Sequence, residues 1–215
     1  MLAVLEIRRR MYWALTLFFG GEPPRELAEA FVSGRLAFPQ VDPDHYPDLA
    51  RGFLELRRFI SGKADAAMLH KELIADYEKV LAPDTGCAPP RCESDWIADE
   101  MPDSELLKLE SIYRVAGYEP RGEKVTMFRD DIAVELDFMH HLCMRSIEDR
   151  ENLQKYVEEE ILFLREHLLR WVPDFCDELI RRCSSRFYQA VARITKGFLL
   201  MDIEVAEKIL SGEII

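Results

Sequence analysis

The sequence of 215 residues is short of positive charge: 28 lysines and arginines stand against 40 aspartates and glutamates, so the formal net charge is −12. An acidic surface repels nucleic-acid phosphates and anionic lipids, and binding either would require a concentrated basic patch. The sequence contains no such patch, and no apolar run approaches the roughly 18–20 residues of a membrane span. We therefore predict no nucleic-acid partner and no direct membrane insertion.

Disulfide and enzyme motifs are also missing. The five cysteines are an odd number without a C-x-x-C pair, which favours a reducing compartment, and we predict a cytoplasmic protein. Neither phosphate-binding glycine motif nor a G-x-S-x-G nucleophile elbow is present. Since the paired Glu-x-x-His motifs of a di-iron bundle are missing too, we predict no catalytic residue, no cofactor and no metal. A metal-dependent bundle enzyme, with a site at His140–His141, remains an alternative.

What the sequence does contain is a succession of apolar stripes with helical spacing, separated by proline and glycine. The prediction is an all-α fold, a single globular bundle of about nine helices. Residues 1–19 are interpreted as an amphipathic helix rather than a signal peptide, in spite of Arg8-Arg9-Arg10. Asp130 is predicted to cap the helix that carries Ile132, and Pro173 to begin a helix. Further helices are predicted at 23–34, 49–60, 64–82, 103–117, 153–171, 184–200 and 203–210.

Two irregular segments interrupt this pattern, at 83–102 and 118–129. The first is acidic: Glu93–Glu105 contains six acids and no base, with Trp96, Ile97 and Met101 between them. The acids alone are typical of a solvated loop. Mixed with apolar groups, however, they suit a peptide that is basic at one end and apolar at the next.

Three segments resemble the TorD/DmsD/NarJ family of molybdoenzyme chaperones. Their order and spacing, over roughly residues 77–175, make the resemblance specific. The first comprises Asp76–Pro83, Ala88–Pro90 and Glu93–Trp96; the second Tyr118–Pro120 and Asp130–Met139; the third Phe163–Phe175, similar to the family's F-x-x-x-H-L-x-x-W-x-x-x-F block. Two positions depart from the family pattern: Asp131 stands where many members have histidine, and Arg91-Cys92 where an aromatic residue is commoner.

The resemblance implies a TorD-like fold and a cytoplasmic chaperone. Such a protein binds the twin-arginine signal of a molybdopterin-containing oxidoreductase's catalytic subunit and assists cofactor loading and folding before export. It also implies a homodimer by domain exchange in some members, through the segment 118–129. The corresponding division assigns residues 1–117, with the acidic loop 83–102, to an N-terminal helical region, residues 118–129 to a hinge and residues 130–215 to a C-terminal helical region, in one compact domain.

The predicted signal-peptide site has an acidic and an apolar half. The carboxylates would receive the basic end of the signal, because arginine and carboxylate form bidentate, directional pairs. They are Glu93, Asp95, Asp130, Asp131 and Glu135. The apolar end of the signal would lie against Leu81, Trp96, Phe138, Met139 and Leu142.

Structural roles are open for some of these residues. Phe138 and Met139 have the spacing of core residues, and Glu135 would equally serve as a buried capping partner of the loop at Glu93. His167 and Trp171 lie on the strongest amphipathic stripe and are interpreted as structural. The alternative function is a helical scaffold or adaptor subunit that recognises no signal peptide.

Overall fold

The computed structural model describes residues 1–35, 39–82, 86–97, 103–120 and 129–214. These residues contain nine α-helices and no β-strand, which confirms the all-α prediction. The helices are α1 (Leu2–Phe19), α2 (Arg25–Val32), α3 (Pro47–Ile60), α4 (Ala66–Val80), α5 (Asp103–Val115), α6 (Ile132–Glu148), α7 (Leu153–Phe163), α8 (Leu169–Arg182) and α9 (Arg186–Leu210).

Local sequence signals set most helix ends. Asp65 caps α4 by accepting hydrogen bonds from the backbone N–H groups of Ala67 and Met68, at 2.8 and 3.2 Å. Gly117 follows the end of α5, and its φ of +70° allows the N–H of Tyr118 to reach the carbonyl of Tyr113 at 2.8 Å.

The cap of α6 differs from the prediction. Asp131, rather than Asp130, is the capping residue, and its Oδ1 accepts the N–H of Ala133 at 2.8 Å. Both residues are acids that suit a helix start, so composition alone did not choose between them. The choice follows from tertiary contacts, because Asp130 bonds to a different segment of the chain.

The prediction that Pro173 begins a helix is wrong. Helix α7 continues through a π-helical turn, Leu164–Leu168, into α8, and Pro173 lies inside α8. A proline ring within a helix meets the carbonyl four residues earlier. Here that residue is Leu169, directly after the widened turn, a place where a helix deviates from regular α geometry.

The division of the last helical stretch into 184–200 and 203–210 is also wrong, since α9 runs without interruption from Arg186 to Leu210. Asp202 lies between the two predicted segments and is fully buried. It accepts two hydrogen bonds from the guanidinium of Arg8, at 2.6 and 2.9 Å, and one from the hydroxyl of Tyr12 at 2.6 Å. The buried ion pair with Arg8 therefore supplies hydrogen bonds to Asp202, the polar residue that interrupts the apolar stripe of α9.

Contacts within the chain define two units. The first comprises Met1–Thr16, Pro90–Val172 and Leu199–Ile215, and the second Leu17–Pro89 and Pro173–Phe198. Three of the four boundaries fall inside helices, in α1, α8 and α9, and the fourth falls between Pro89 and Pro90. The hinge predicted at 118–129 stays a prediction, because residues 121–128 lie outside the described residues.

The first unit packs α6 against α7. Its core includes an apolar cluster of Leu5, Val157, Ile161, Ala206 and Ile209. Next to the Arg8–Asp202 pair, Glu160 accepts from Arg8 at 2.5 Å and from the hydroxyl of Ser146 at 2.7 Å. This network ties α1, α6, α7 and α9 together.

The second unit packs α2 against α4. Phe187 forms the centre of an aromatic cluster, with ring centroids 5.5 Å from Phe18, 6.4 Å from Phe31 and 5.6 Å from Phe59. Among the described helices of both units, none combines the length and apolarity that crossing a bilayer requires.

Candidate functional site

The predicted acidic residues meet where a short extended segment pairs with the beginning of α6. The N–H of Glu93 donates to the carbonyl of Asp130, and the N–H of Ile132 to the carbonyl of Arg91, both at 2.9 Å. Between them lies an isolated antiparallel bridge, Cys92–Asp131. This pairing brings residues about 40 positions apart into one cluster, which we call the α6 acidic cluster: Glu93, Asp130, Asp131 and Glu135.

Glu93 is fully buried although it carries a carboxylate. Its Oε2 lies 2.9 Å from Nδ1 of His167, in the π-helical turn. Its other oxygen, Oε1, has no hydrogen-bond partner among the described residues. A buried carboxylate with an unused oxygen costs free energy, so such a group is unusual in a purely structural role.

Glu135, one turn into α6, is also fully buried. Its Oε2 accepts the indole N–H of Trp171 at 3.2 Å, and its Oε1 likewise lacks a partner in the described portion of the chain. Burial raises the pKa of Glu135 well above its ordinary value of 4.5, and the neighbouring charge of Glu93 raises this pKa further.

Asp130, which is almost fully buried, holds the extended segment in place. Its Oδ2 accepts the N–H of Ser94 at 2.9 Å, at the start of a 3₁₀ turn, Glu93–Asp95. The alternative role considered for Glu135, capping this loop, therefore belongs to Asp130.

Asp131 is the partly exposed member of the cluster. Its Oδ1 accepts from Nη2 of Arg91 at 3.0 Å, in addition to its capping bond. Burial raises the pKa of Asp131, and the charge of Arg91 opposes that rise.

The remaining predicted site residues divide between surface and core. Asp95 is exposed, and Trp96 is half-buried with its indole N–H donated to the carbonyl of Pro90 at 2.9 Å. Phe138, Met139 and Leu142 are buried in the first unit, and Leu81 is buried in the second. Apart from Trp96, the apolar half of the predicted site is therefore core in this conformation, which agrees with the alternative given for Phe138 and Met139.

Of the six acids between Glu93 and Glu105, only Glu93 and Asp95 have described side chains. Residues 98–102 lie outside the described ranges, and so do the side chains of residues 103–105.

His167 and Trp171 are partners of the cluster, although the sequence pattern predicts only a structural role for them. Phe163, His167 and Trp171 are spaced four residues apart and share one side of the α7–α8 stretch. His167 stacks on Phe163 at 4.6 Å between ring centroids, and Phe163 contacts Phe138 at 4.7 Å. The family block F-x-x-x-H-L-x-x-W could have indicated these two partners. The imidazole of His167 and the indole N–H of Trp171 both need hydrogen-bond partners when they are buried.

A separate groove of about 1000 Å³ lies elsewhere in the first unit. It is lined among others by Trp13, Tyr113, Asp137, His140 and His141. His140 bonds to the carbonyl of Arg9 at 3.1 Å and so joins α6 to α1, and His141 bonds to the carbonyl of Ala116, directly after α5, at 3.0 Å. None of the described residues that line the groove belongs to the predicted peptide site. The described residues also contain no group of three metal-binding side chains.

The chain belongs to the family described as nitrate reductase delta subunit, whose model matches residues 42–177. This match confirms the TorD/DmsD/NarJ resemblance. Among similar proteins is the chaperone protein TorD of Aliivibrio fischeri, 26% identical over an alignment of 218 residues, with 97% of this chain and 96% of that protein covered.

Two further relatives carry the same name. The chaperone protein TorD of Vibrio cholerae is 26% identical, covering 92% of this chain and 90% of the relative. That of Photobacterium profundum is 24% identical, with 94% of each chain covered. The relatives are named as chaperones and not as enzymes, which confirms the non-enzymatic prediction at the level of the family.

Proposed function

We propose that this protein is a cytoplasmic chaperone for the catalytic subunit of a molybdopterin-containing oxidoreductase. It binds the twin-arginine signal of that subunit and assists cofactor loading and folding before export. Membership of the family and similarity to TorD chaperones over nearly the whole chain support the chaperone role in this proposal.

The α6 acidic cluster supports the signal-binding role. Four carboxylates converge on the beginning of one helix, and two of them, Glu93 and Glu135, each have an oxygen without a partner among the described residues. A guanidinium offers five N–H donors in a planar fork, so it matches an excess of carboxylate acceptors better than a neutral donor does.

Members of the site take different roles in this proposal. Asp95 and Asp131 are accessible and would contact the arginines, with Trp96 beside them. Glu93, Asp130 and Glu135 are buried, so they do not meet the peptide in this conformation, and Asp130 fixes the backbone at Ser94. Because Phe138, Met139 and Leu142 are at most 1% exposed, apolar contacts there would require a rearrangement. Electrostatics therefore dominates the initial binding, and we expect affinity to fall as salt rises.

Titration with a synthetic twin-arginine signal peptide tests the proposal, alongside a peptide in which both arginines are glutamine. The arginine peptide should bind at least tenfold more tightly, because charge-assisted hydrogen bonds contribute about 1.5–3 kcal/mol each. Equal binding of both peptides would contradict signal recognition and favour the alternative of a helical scaffold or adaptor subunit.

The substitution Asp131→Asn locates the site. Asparagine keeps the capping oxygen that α6 needs but removes the charge, so affinity for the arginine peptide should fall about three- to tenfold. Asp65→Asn makes the same change at the cap of α4 in the second unit and is the matched control. Unchanged affinity of Asp131→Asn for the arginine peptide would show that the peptide does not bind at the beginning of α6.

Domain exchange through residues 118–129 is a further element of the proposal. Light scattering coupled to size exclusion, over a range of protein concentrations, measures whether a homodimer forms. A mass of one chain at all concentrations would argue against it.

A further inference from the structure

Arg91 occupies the accessible carboxylate of the α6 acidic cluster. Its Nη2 donates to Oδ1 of Asp131 at 3.0 Å, and 22% of the Arg91 side chain and 17% of the Asp131 side chain remain exposed. The contact is imposed by the backbone, because the carbonyl of Arg91 accepts the N–H of Ile132 and the next residue forms the bridge to Asp131. Arg91 therefore stays beside Asp131 even when its side chain rotates away.

The Arg91–Asp131 pair has the same chemistry as the contact proposed for the signal peptide, a guanidinium bound to a carboxylate. A guanidinium already lies on the partly exposed carboxylate of a cluster in which Glu93 and Glu135 each keep a buried oxygen without a partner among the described residues. An arginine from a peptide and the Arg91 side chain cannot occupy the same lone pairs of Asp131. When the guanidinium of a peptide arginine replaces that of Arg91, Asp131 keeps an ion pair. The Arg91 side chain, which is already partly exposed, then moves toward solvent.

We propose that Arg91 is a built-in competitor for the twin-arginine signal, holding Asp131 until an arginine of the peptide displaces it. This inference rests on the proposed function and adds a specificity-determining residue to the same site. A competitor that occupies the site in the free protein reduces the apparent affinity by the fraction of molecules in which the site is open. It also discriminates between ligands, since an isolated ammonium forms no bidentate pair and replaces a guanidinium poorly.

The test is the affinity of Arg91→Gln for a fluorescently labelled twin-arginine peptide, measured by anisotropy. A partly exposed ion pair contributes a modest amount, so removal of the competitor should tighten binding about two- to fivefold. The same variant should also lose discrimination, binding a twin-lysine peptide relatively better than the unmodified protein does. Arg165→Gln is the matched control: it removes an arginine of the same unit that pairs with Glu207, and it should leave both affinities unchanged.

Arg91→Lys serves if the glutamine variant does not fold, because it keeps the charge and loses the fork, and it should also tighten binding. Equal or weaker binding of the arginine peptide by a folded Arg91 variant would overturn the inference. Failure of the proposed function gives a different result: the unmodified protein itself would not distinguish the arginine peptide from the glutamine peptide. That result would overturn both the proposed function and the inference about Arg91.

Discussion

The imidazole of His167 lies 2.9 Å from the fully buried carboxylate of Glu93, across 74 positions of sequence. The contact joins the π-helical turn between α7 and α8 to the short 3₁₀ turn, Glu93–Asp95, that begins the acidic segment. The second oxygen of Glu93 has no partner within the described chain, so its carboxylate depends strongly on the contact with His167. Substitution of His167 and Glu93 therefore measures how much this contact stabilises the first unit.

Replacing His167 by alanine should destabilise the first unit by about 1–3 kcal/mol, because it leaves a buried carboxylate without its hydrogen bond. Urea denaturation followed by circular dichroism measures the change. The double variant His167→Ala with Glu93→Gln should lose less than the single variant, since an amide is less costly to bury unpaired than a carboxylate. His45→Ala, at an exposed histidine, is the control. A double variant less stable than the single one would contradict this account.

Glu135→Gln should remove much of the pH dependence of stability that Glu135 causes. The folded protein holds a proton on Glu135 more tightly than the unfolded chain does, because burial raises its pKa. The free energy of unfolding therefore declines as pH rises from the unfolded value of about 4.5 toward the folded pKa. Glutamine keeps the acceptor for Trp171 but cannot ionise, so the stability of the variant relative to the unmodified protein should increase as pH rises above about 4.5. Chemical denaturation at several pH values measures this difference, and a constant difference would show that Glu135 does not titrate abnormally.

Arg8→Ala should be severely destabilising. It would leave Asp202 and Glu160, both fully buried, without their guanidinium, and such a loss typically costs about 3–5 kcal/mol. Thermal unfolding should show a much lower midpoint. The control is Arg10→Ala, whose side chain is 74% exposed and pairs with Glu6 at 3.6 Å, and its effect should stay within about 0.5 kcal/mol. Similar losses in the two variants would contradict the importance of the buried network.

Gly197→Ala should destabilise the second unit, where α9 approaches α3 closely. A Cβ at this position would lie 2.4 Å from the backbone nitrogen of Leu49, and backbone cannot yield as a side-chain tip does. We expect a loss of about 1–3 kcal/mol from the forced separation, measured by denaturant unfolding. Gly21→Ala, where no atom lies within 4 Å of the new Cβ, is the matched control. An unchanged midpoint in Gly197→Ala would show that the two helices move apart without cost.

Much of the helix layout followed from local signals. Helices α1, α3 and α4 begin and end within a few residues of their predicted bounds, because apolar spacing, caps and prolines act over one or two turns. The errors at Pro173 and Asp202 have a common cause. A proline or a buried charge predicts a helix break when judged locally, whereas the π-helical turn and the ion pair with Arg8 accommodate them.

Only part of the acidic site could be predicted from the sequence. Acid counting and the family resemblance selected the residues of the α6 acidic cluster, but neither distinguished accessible from buried carboxylates. Asp131 and Asp95 reach solvent, whereas Glu93 and Glu135 do not. Arg91 is visible in the sequence as a departure from the family pattern, but its contact with Asp131 follows from the bridge between Cys92 and Asp131.

Composition, short-range periodicity and motif order were sufficient to establish the all-helical class, most helix positions, the excess of negative charge and the family. Tertiary contacts, in contrast, determined which acid caps α6, which carboxylates are buried and which partners they have. Glu93 with His167 and Glu135 with Trp171 are 74 and 36 positions apart. Such pairs cannot be deduced from neighbouring residues, because distant segments of the chain determine whether a charged group is buried and what it bonds to.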